Sequence, residues 1–251
     1  TVSFNFDGIV LCDNVAMTAA QATCTVSSLI GGTHVVTAAY NGDTNFNISA
    51  GSLTGGPQVV SKADSVMAIT NQAQLDTPTH VGESYPVNWT VTLVAPGAGT
   101  PTGNVTVSDG SASCTAAVAA QTCNLTSTTP GTKTITGTYA GDGNVNGSSA
   151  TPASHLVNVM ITGRVQQFVS GGSNTDMSGV TVSLSGSTTA TVTTDSNGRF
   201  TFTQLAGGGS FVVAPAAGGF TFDPLSRSYS NVNTNVMNAN FVGYDAAAGV
   251  R

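Results

Sequence analysis

The chain has 251 residues, of which only 7% are charged, with 12 acidic against 6 basic side chains, where about a quarter is usual for a soluble protein. Hydrophobic residues still make up 40%, so Thr, Ser, Asn and Gly stand in for charge while the material for a core remains. A net charge of −6 leaves no basic stripe to neutralise phosphates, which excludes nucleic acid as the main partner and makes an anionic membrane surface equally unsuitable. Apolar runs last only a few residues, far short of the roughly 20 that span a bilayer, so no membrane insertion is expected. The start at Thr1, without initiator Met, basic stretch or signal-like apolar run, is read as that of a mature or trimmed chain.

Glu occurs once, at Glu83, and Leu, Lys and Arg are scarce while Thr, Val, Ser and Gly dominate, a composition for strands rather than helices. In chain order, period-two alternation runs through Val87-Asn88-Trp89-Thr90-Val91-Thr92-Leu93, through Val180-Thr181-Val182-Ser183-Leu184 and through Phe200-Thr201-Phe202, each placing apolar residues on one face. Between them, His155-Leu156-Val157-Asn158-Val159-Met160 continues into Ile161-Thr162-Gly163-Arg164-Val165 without a Gly, Ser or Pro spacer, which predicts a stiff joint. Asp195-Ser196-Asn197-Gly198 reads as a hairpin turn with Gly198 at positive φ. Turn residues recur every ten or so positions, as short-stranded sandwiches require. The fold class is therefore all-β.

Internal repetition organises the chain. The stretch Gly32-Thr33-His34-Val35-Val36-Thr37-Ala38-Ala39-Tyr40-Asn41-Gly42-Asp43-Thr44-Asn45 recurs as Gly131-Thr132-Lys133-Thr134-Ile135-Thr136-Gly137-Thr138-Tyr139-Ala140-Gly141-Asp142-Gly143-Asn144. Cys24 falls on Cys123 in that register, and Asp7-Gly8 with Cys12 matches Asp109-Gly110 with Cys114. The second copy has an upstream half, from near Lys62 through Leu93 to Gly103, that the first copy lacks.

The strings TPTGNVTVSDG and PGTKTITGTYAGDGNVNGSSA resemble the bacterial Ig-like repeats of surface and secreted proteins, over residues 1–159. Residues 160–244, with ITGRV, SGVTVSLSGSTTATVTTDSNGRFTFTQL and NANFVGY, resemble a carboxypeptidase-regulatory-like or collagen-adhesin B-type sandwich. That resemblance implies prealbumin-like strand order and a non-catalytic role. The expected organisation is tandem Ig-like β-sandwiches in a linear, rod-like array: a partial sandwich at 1–60 with its early strands missing, a complete one at 61–159, a third at 160–244, and a tail at 245–251. Some collagen-adhesin B-type domains are stiffened by Lys–Asn isopeptide bonds, but residues 160–251 contain no Lys. Lys62, Lys133 and Glu83 are read as solvated or edge-protecting charges.

Cys12 with Cys24 and Cys114 with Cys123 give one pair per Ig-like copy, none in CxxC spacing. Even number and local placement favour two disulfides, with zinc ligation or free thiols as the alternatives. Asp142, Asn144 and Asn146 fit the opening of a calcium loop, and Asp43-Thr44-Asn45-Phe46-Asn47 fits it less well. The closing carboxylate is missing, so these are weak metal candidates, and a side-chain-capped turn is the simpler reading. His34, His80 and His155 are scattered and no nucleophile motif adjoins them. A single Glu and no clustered Asp leave a paired-carboxylate glycosidase unsupported. No enzyme activity and no cofactor are expected. Trp89, Tyr40 and Tyr139 are read as core residues. Five sequons begin at Asn47, Asn88, Asn104, Asn124 and Asn146 and matter only in a glycosylating host.

These features point to an extracellular or cell-surface structural or adhesive protein, a stalk or fibre subunit that self-associates or meets other surface proteins or glycans. Strand addition to the incomplete first sandwich would make it polymerise, with Asp245-Ala246-Ala247-Ala248-Gly249-Val250-Arg251 as a donor candidate. The rival reading is a polysaccharide-binding or spacer segment of a larger secreted enzyme or adhesin, with Phe46 or Phe168 as the loop aromatic.

Overall fold

The structure is a computed structural model describing residues 1–27 and 29–247. Ala248, Gly249, Val250 and Arg251, the end of the donor candidate, lie outside the described residues.

The N-terminal part forms β1 (Val2–Phe6), β2 (Ile9–Val15), β3 (Gly32–His34), β4 (Val36–Tyr40), β5 (Ser49–Ser52) and β6 (Gln58–Val60). One sheet orders β2-β1-β4-β5, and β3 pairs with β6. The second part holds β7 (Ser65–Ile69), a single turn of helix α1 (Gln72–Leu75), β8 (Thr79–His80), β9 (Ser84–Leu93), β10 (Asn104–Ser108), β11 (Ser113–Ala117), β12 (Thr122–Thr126), β13 (Gly131–Tyr139), β14 (Ser148–Ser149) and β15 (Ala153–Gln167). Here two sheets, β12-β9-β7 and β11-β10-β13-β15, enclose Met67, Tyr85, Val87, Trp89, Val105, Val107, Leu125, Ile135 and Tyr139. The alternation explains it: in β13 Lys133, Ile135, Gly137 and Tyr139 point inward while Thr132, Thr134, Thr136 and Thr138 face solvent.

The third part adds β16 (Thr175–Asp176), β17 (Thr181–Gly186), β18 (Ala190–Thr193), β19 (Arg199–Leu205), β20 (Gly209–Ala216), β21 (Phe220–Asp223), β22 (Arg227–Val232) and β23 (Phe241–Asp245). The sheet β18-β17-β20-β22 packs its Val182, Leu184, Phe211 and Val213 against Ile161, Val165, Phe200, Phe202 and Phe241. The turn before β19 has the geometry its sequence calls for: Gly198 has φ +68°, and Asp195 Oδ1 accepts the amides of Asn197 and Arg199, both at 2.8 Å.

Strand β15 belongs to both later sandwiches. Its first half pairs antiparallel with β13, Gly131 opposite Val157, and its second half pairs with β19, Thr162 opposite Thr201. Along its whole length the odd-numbered side of the strand is buried, from His155 through Val157, Val159, Ile161 and Gly163 to Val165. Gly163 is required there, since a Cβ would run into the Ala239 carbonyl and the Phe200 ring. Asn235 ties the junction, its side chain bonding Val81 O and Met160 N.

Candidate functional site: the open N-terminal sheet

The two repeat copies share strand pairing residue for residue. Val2 lies opposite Tyr40 and Phe4 opposite Ala38, as Val105 lies opposite Tyr139 and Val107 opposite Gly137. Phe4 also faces Cys12 as Val107 faces Cys114. The first copy has one more residue between this position and its Asp-Gly turn, taken up by irregular register between β1 and β2. The structure joins Cys12 to Cys24 and Cys114 to Cys123, with Cα atoms 6.0 and 6.1 Å apart.

Each copy closes its last turn with an aspartate. Asp142 Oδ1 accepts the amides of Asn144 and Val145 at 2.8 Å, while Oδ2 accepts Thr102 N and Oγ1, both at 2.7 Å, and Tyr139 OH at 3.2 Å. The Thr102 bonds, with the backbone amides, hold the Asp142 carboxyl well below the ordinary carboxylate range. Asn144 Oδ1 accepts Gly31 N at 2.8 Å and Asn146 Nδ2 donates to Asp64 at 2.8 Å. The calcium candidates are thus engaged in a capped turn. Among the described residues no three His, Cys, Asp or Glu side chains converge as a metal site.

Asp43 repeats half of this arrangement. Its Oδ1 accepts Asn45 N at 2.7 Å and Phe46 N at 2.9 Å, and Oδ2 accepts Tyr40 OH at 2.6 Å; the Tyr40 bond leads in lowering its pKa. Nothing among the described residues takes the place of Thr102.

Among the described residues the one buried acid is Asp109, which bridges several elements of the core. Its Oδ2 accepts the Ser127 and Tyr85 hydroxyls, and Oδ1 accepts Ser111 N, Ser111 Oγ and Ala112 N. Burial works to raise its pKa, but the bonds from Ser127 and the amides together outweigh it and leave the carboxyl well below its ordinary range. Burial pushes the Tyr85 hydroxyl up to about 12.

The histidines serve separate local structures. His34 bonds Asp7 and Ile30 O at 2.7 and 3.0 Å, and the Asp7 carboxyl is lowered chiefly by that contact. His155 donates from Nδ1 to Leu75 O at 2.8 Å, meets Thr79 Oγ1 at 2.7 Å and lies against the Tyr85 ring. Lys133 departs from the solvated charge expected of it: it is buried in line with Ile135, with Nζ donating to Thr129 Oγ1 at 2.7 Å. Its aliphatic stem fills the inward position while the ammonium reaches the strand end.

What distinguishes the copies is cover. In the second, the sheet β12-β9-β7 lies over Val105, Val107 and Tyr139, and all three are buried. In the first, Val2, Phe4, Ala38 and Tyr40 are only half-buried, while Phe6 at the end of β1 is buried against the His34 ring. Residues 23–27, which match β12, are not in a strand. Exposed large hydrophobics gather here: Ile9, Val10, Val26, Val35, Phe46 and Ile48 among them.

Residues 73–159 match the family model of the bacterial Ig-like domain (group 3). The second sandwich is thus similar to bacterial Ig-like domains. Residues 159–242 match the model of the BOS complex subunit NOMO1-like, second beta sandwich domain, so the third unit is a sandwich whose matched model carries a different name from the resemblance drawn from its sequence. No curated protein matches the chain. Among solved structures, a bacterial adhesin from Mobiluncus mulieris containing intramolecular disulfide, isopeptide and ester bond cross-links is similar at 8% identity and TM-score 0.31, over 74% of this chain and 99% of that one. The Bacillus anthracis TIE protein is similar at 10% identity and TM-score 0.35, over 97% of this chain and 52% of that one. The full-length major pilin SpaD from Corynebacterium diphtheriae is similar at 10% identity and TM-score 0.30, over 85% and 79%. No helix among the described residues is long and apolar enough to cross a membrane.

Proposed function

We propose that this is an extracellular or cell-surface structural or adhesive protein, a stalk or fibre subunit built from units at 1–60, 61–159 and 160–244, which assembles by adding strands to its N-terminal sheet. The observation that carries the reading is the contrast between covered Val105 and Val107 and uncovered Val2 and Phe4 on otherwise equivalent strands. An uncovered apolar sheet face bounded by free strand edges is a template for pairing. Two disulfides suit an oxidising exterior, and the strand shared by the later units supports a stiff spacer. No step in this role calls for a catalytic group or a cofactor. Electron microscopy of the undenatured protein, paired with light scattering, tests it: regular filaments uphold a fibre subunit, and isolated single chains at all concentrations remove assembly.

A second reading, a glycan-binding spacer, rests on the stack of half-exposed Phe168 on Tyr244, with ring centroids 5.1 Å apart. It calls for saturable polysaccharide binding by a monomer, lost in Phe168→Ala; a glycan array without binding removes it.

A further inference from the structure

We propose that the joint between the first and second units is a latched hinge: the turn 142–146 is the seat on which the first unit docks through Gly31, and breaking that one contact frees the unit to swing. Every residue of the joint lies between 27 and 147, so the inference stands apart from the assembly reading and from how the N-terminal sheet is covered.

The chain crosses the joint with almost no slack. On the first unit's side, β6 ends in a ladder with β3, Val60 opposite Gly32. On the second unit's side, Ala63 bridges Val145, its N–H donating to Asn144 O and its carbonyl accepting Asn146 N, both at 2.8 Å. Asn146 Nδ2 donates to Asp64 Oδ1 at 2.8 Å, and Ser65 Oγ donates to Asn146 O at 2.7 Å. Lys62 Nζ donates to Asp142 O at 2.6 Å. Only Ser61 separates the ladder of the first unit from the first residue tied to the turn of the second.

A single covalent crossing still permits rotation about its soft dihedrals; a second contact beside it removes that freedom. Gly31 supplies the second contact. Its N–H donates to Asn144 Oδ1 at 2.8 Å, and it sits so close to the turn that a Cβ would come within 3.0 Å of Gly143 O and 3.1 Å of Lys62 Cγ. Asp142 holds the seat in shape, its Oδ1 accepting the Asn144 and Val145 amides. Beside this contact the units stand apart around a cleft of about 600 Å³, lined by Ser27 and Leu29 of the first unit and by Val94, Pro96 and Ala98 of the second. Small polar joints leave relative motion as the default. The Gly31 contact therefore sets the angle, and the cleft is the space the first unit moves into when it breaks.

The same repeat position serves the next joint. Gly32 falls on Gly131, so Gly31 falls on Pro130, and Pro130 lies against Gly207 of the third unit, where a Cβ would run into its ring. There the contact adds to β15, a strand that both units share. Among the described residues the first joint has no shared strand, which leaves the angle to the docked turn.

The test is nitrogen-15 relaxation of the full chain, read together with amide exchange. In the unaltered protein the first two units should tumble with one correlation time. Asn144→Ala, which removes the acceptor, should let the first unit tumble faster than the second. Lys62→Met keeps the stem beside Gly31 and leaves the Gly31 bond itself in place, yet it should speed exchange at the Gly31 amide about tenfold by loosening the seat. Its altered side chain is exposed, and amides of Val107 and Ile135 should stay protected, so the second unit remains folded. Independent tumbling of the first two units in the unaltered chain overturns the proposal. So does a single correlation time in Asn144→Ala, or unchanged Gly31 exchange in Lys62→Met.

Discussion

Asn235 of the third unit holds Val81 of the second: its Nδ2 donates to Val81 O at 2.8 Å while its Oδ1 accepts Met160 N at 3.2 Å. One amide side chain therefore satisfies a loop carbonyl on one sandwich and the shared strand where it leaves for the other. Asn235→Ala should cost about 1–3 kcal/mol, since it orphans both groups at a partly buried site. The check is local: exchange at the Met160 amide should rise while amides in the centres of β13 and β20 stay protected.

Each disulfide closes a short loop, with sequence separations of 12 and 9. In the chain-entropy account, removing either by a Cys→Ser pair should destabilise its unit by about 3 kcal/mol. Urea unfolding of the Cys114→Ser/Cys123→Ser chain should show the transition of the Ig-like unit shifted and that of the third unit unmoved.

Asp109 makes the Ig-like unit acid-sensitive in a definite direction. Its carboxyl lies below its ordinary value in the fold, against about 3.9 unfolded, so the stabilisation is complete above about pH 4 and is lost as pH falls through the folded value. Denaturation midpoints should be flat from about pH 5 to 8 and fall below about pH 4, with Asp142 adding to the slope. Asp109→Asn should lower stability at neutral pH by about 2–3 kcal/mol, leaving Ser127 and Tyr85 poorly partnered, and should make the acid slope shallower. An unchanged slope would sink the assignment.

Matched truncations should separate the two repeat copies. Leu125→Ala removes a buried side chain and should cost about 2–5 kcal/mol. Val26→Ala removes a side chain that is 41% exposed and should cost less, about 0.5 kcal/mol. Equal costs in thermal unfolding would contradict the difference in cover.

At Gly163 a methyl group has nowhere to go between the Ala239 carbonyl and the Phe200 ring. Gly163→Ala should destabilise the third sandwich by about 1–3 kcal/mol through overpacking, read as an earlier melting transition.

Much of this was legible in the residues. The repeat strings gave the shared register, Asp195 and Gly198 their turn, and the missing spacer between Met160 and Ile161 the stiff joint that strand β15 makes between units. What alternation could not reveal is what packs opposite. Val26 and Leu125 look alike in sequence, as do Phe46 and Val145, and their burial differs because residues distant in the chain cover one copy and not the other. Lys133 follows the same logic: its charge points outward in the sequence, while its place in phase with Ile135 puts it inward in the fold. Asn235 carries no signature, since its partners Val81 and Met160 are remote in sequence and its role arises only where two sandwiches meet.

Strand β15 has neighbours running in both directions beside it, β13 and β19 antiparallel, β8 and β23 parallel. A pull along its axis loads those ladders in shear, many hydrogen bonds together, rather than unzipping them one at a time. Tension entering the Ig-like unit is therefore carried to the third one through a continuous covalent backbone, with no hinge at which it could be relieved.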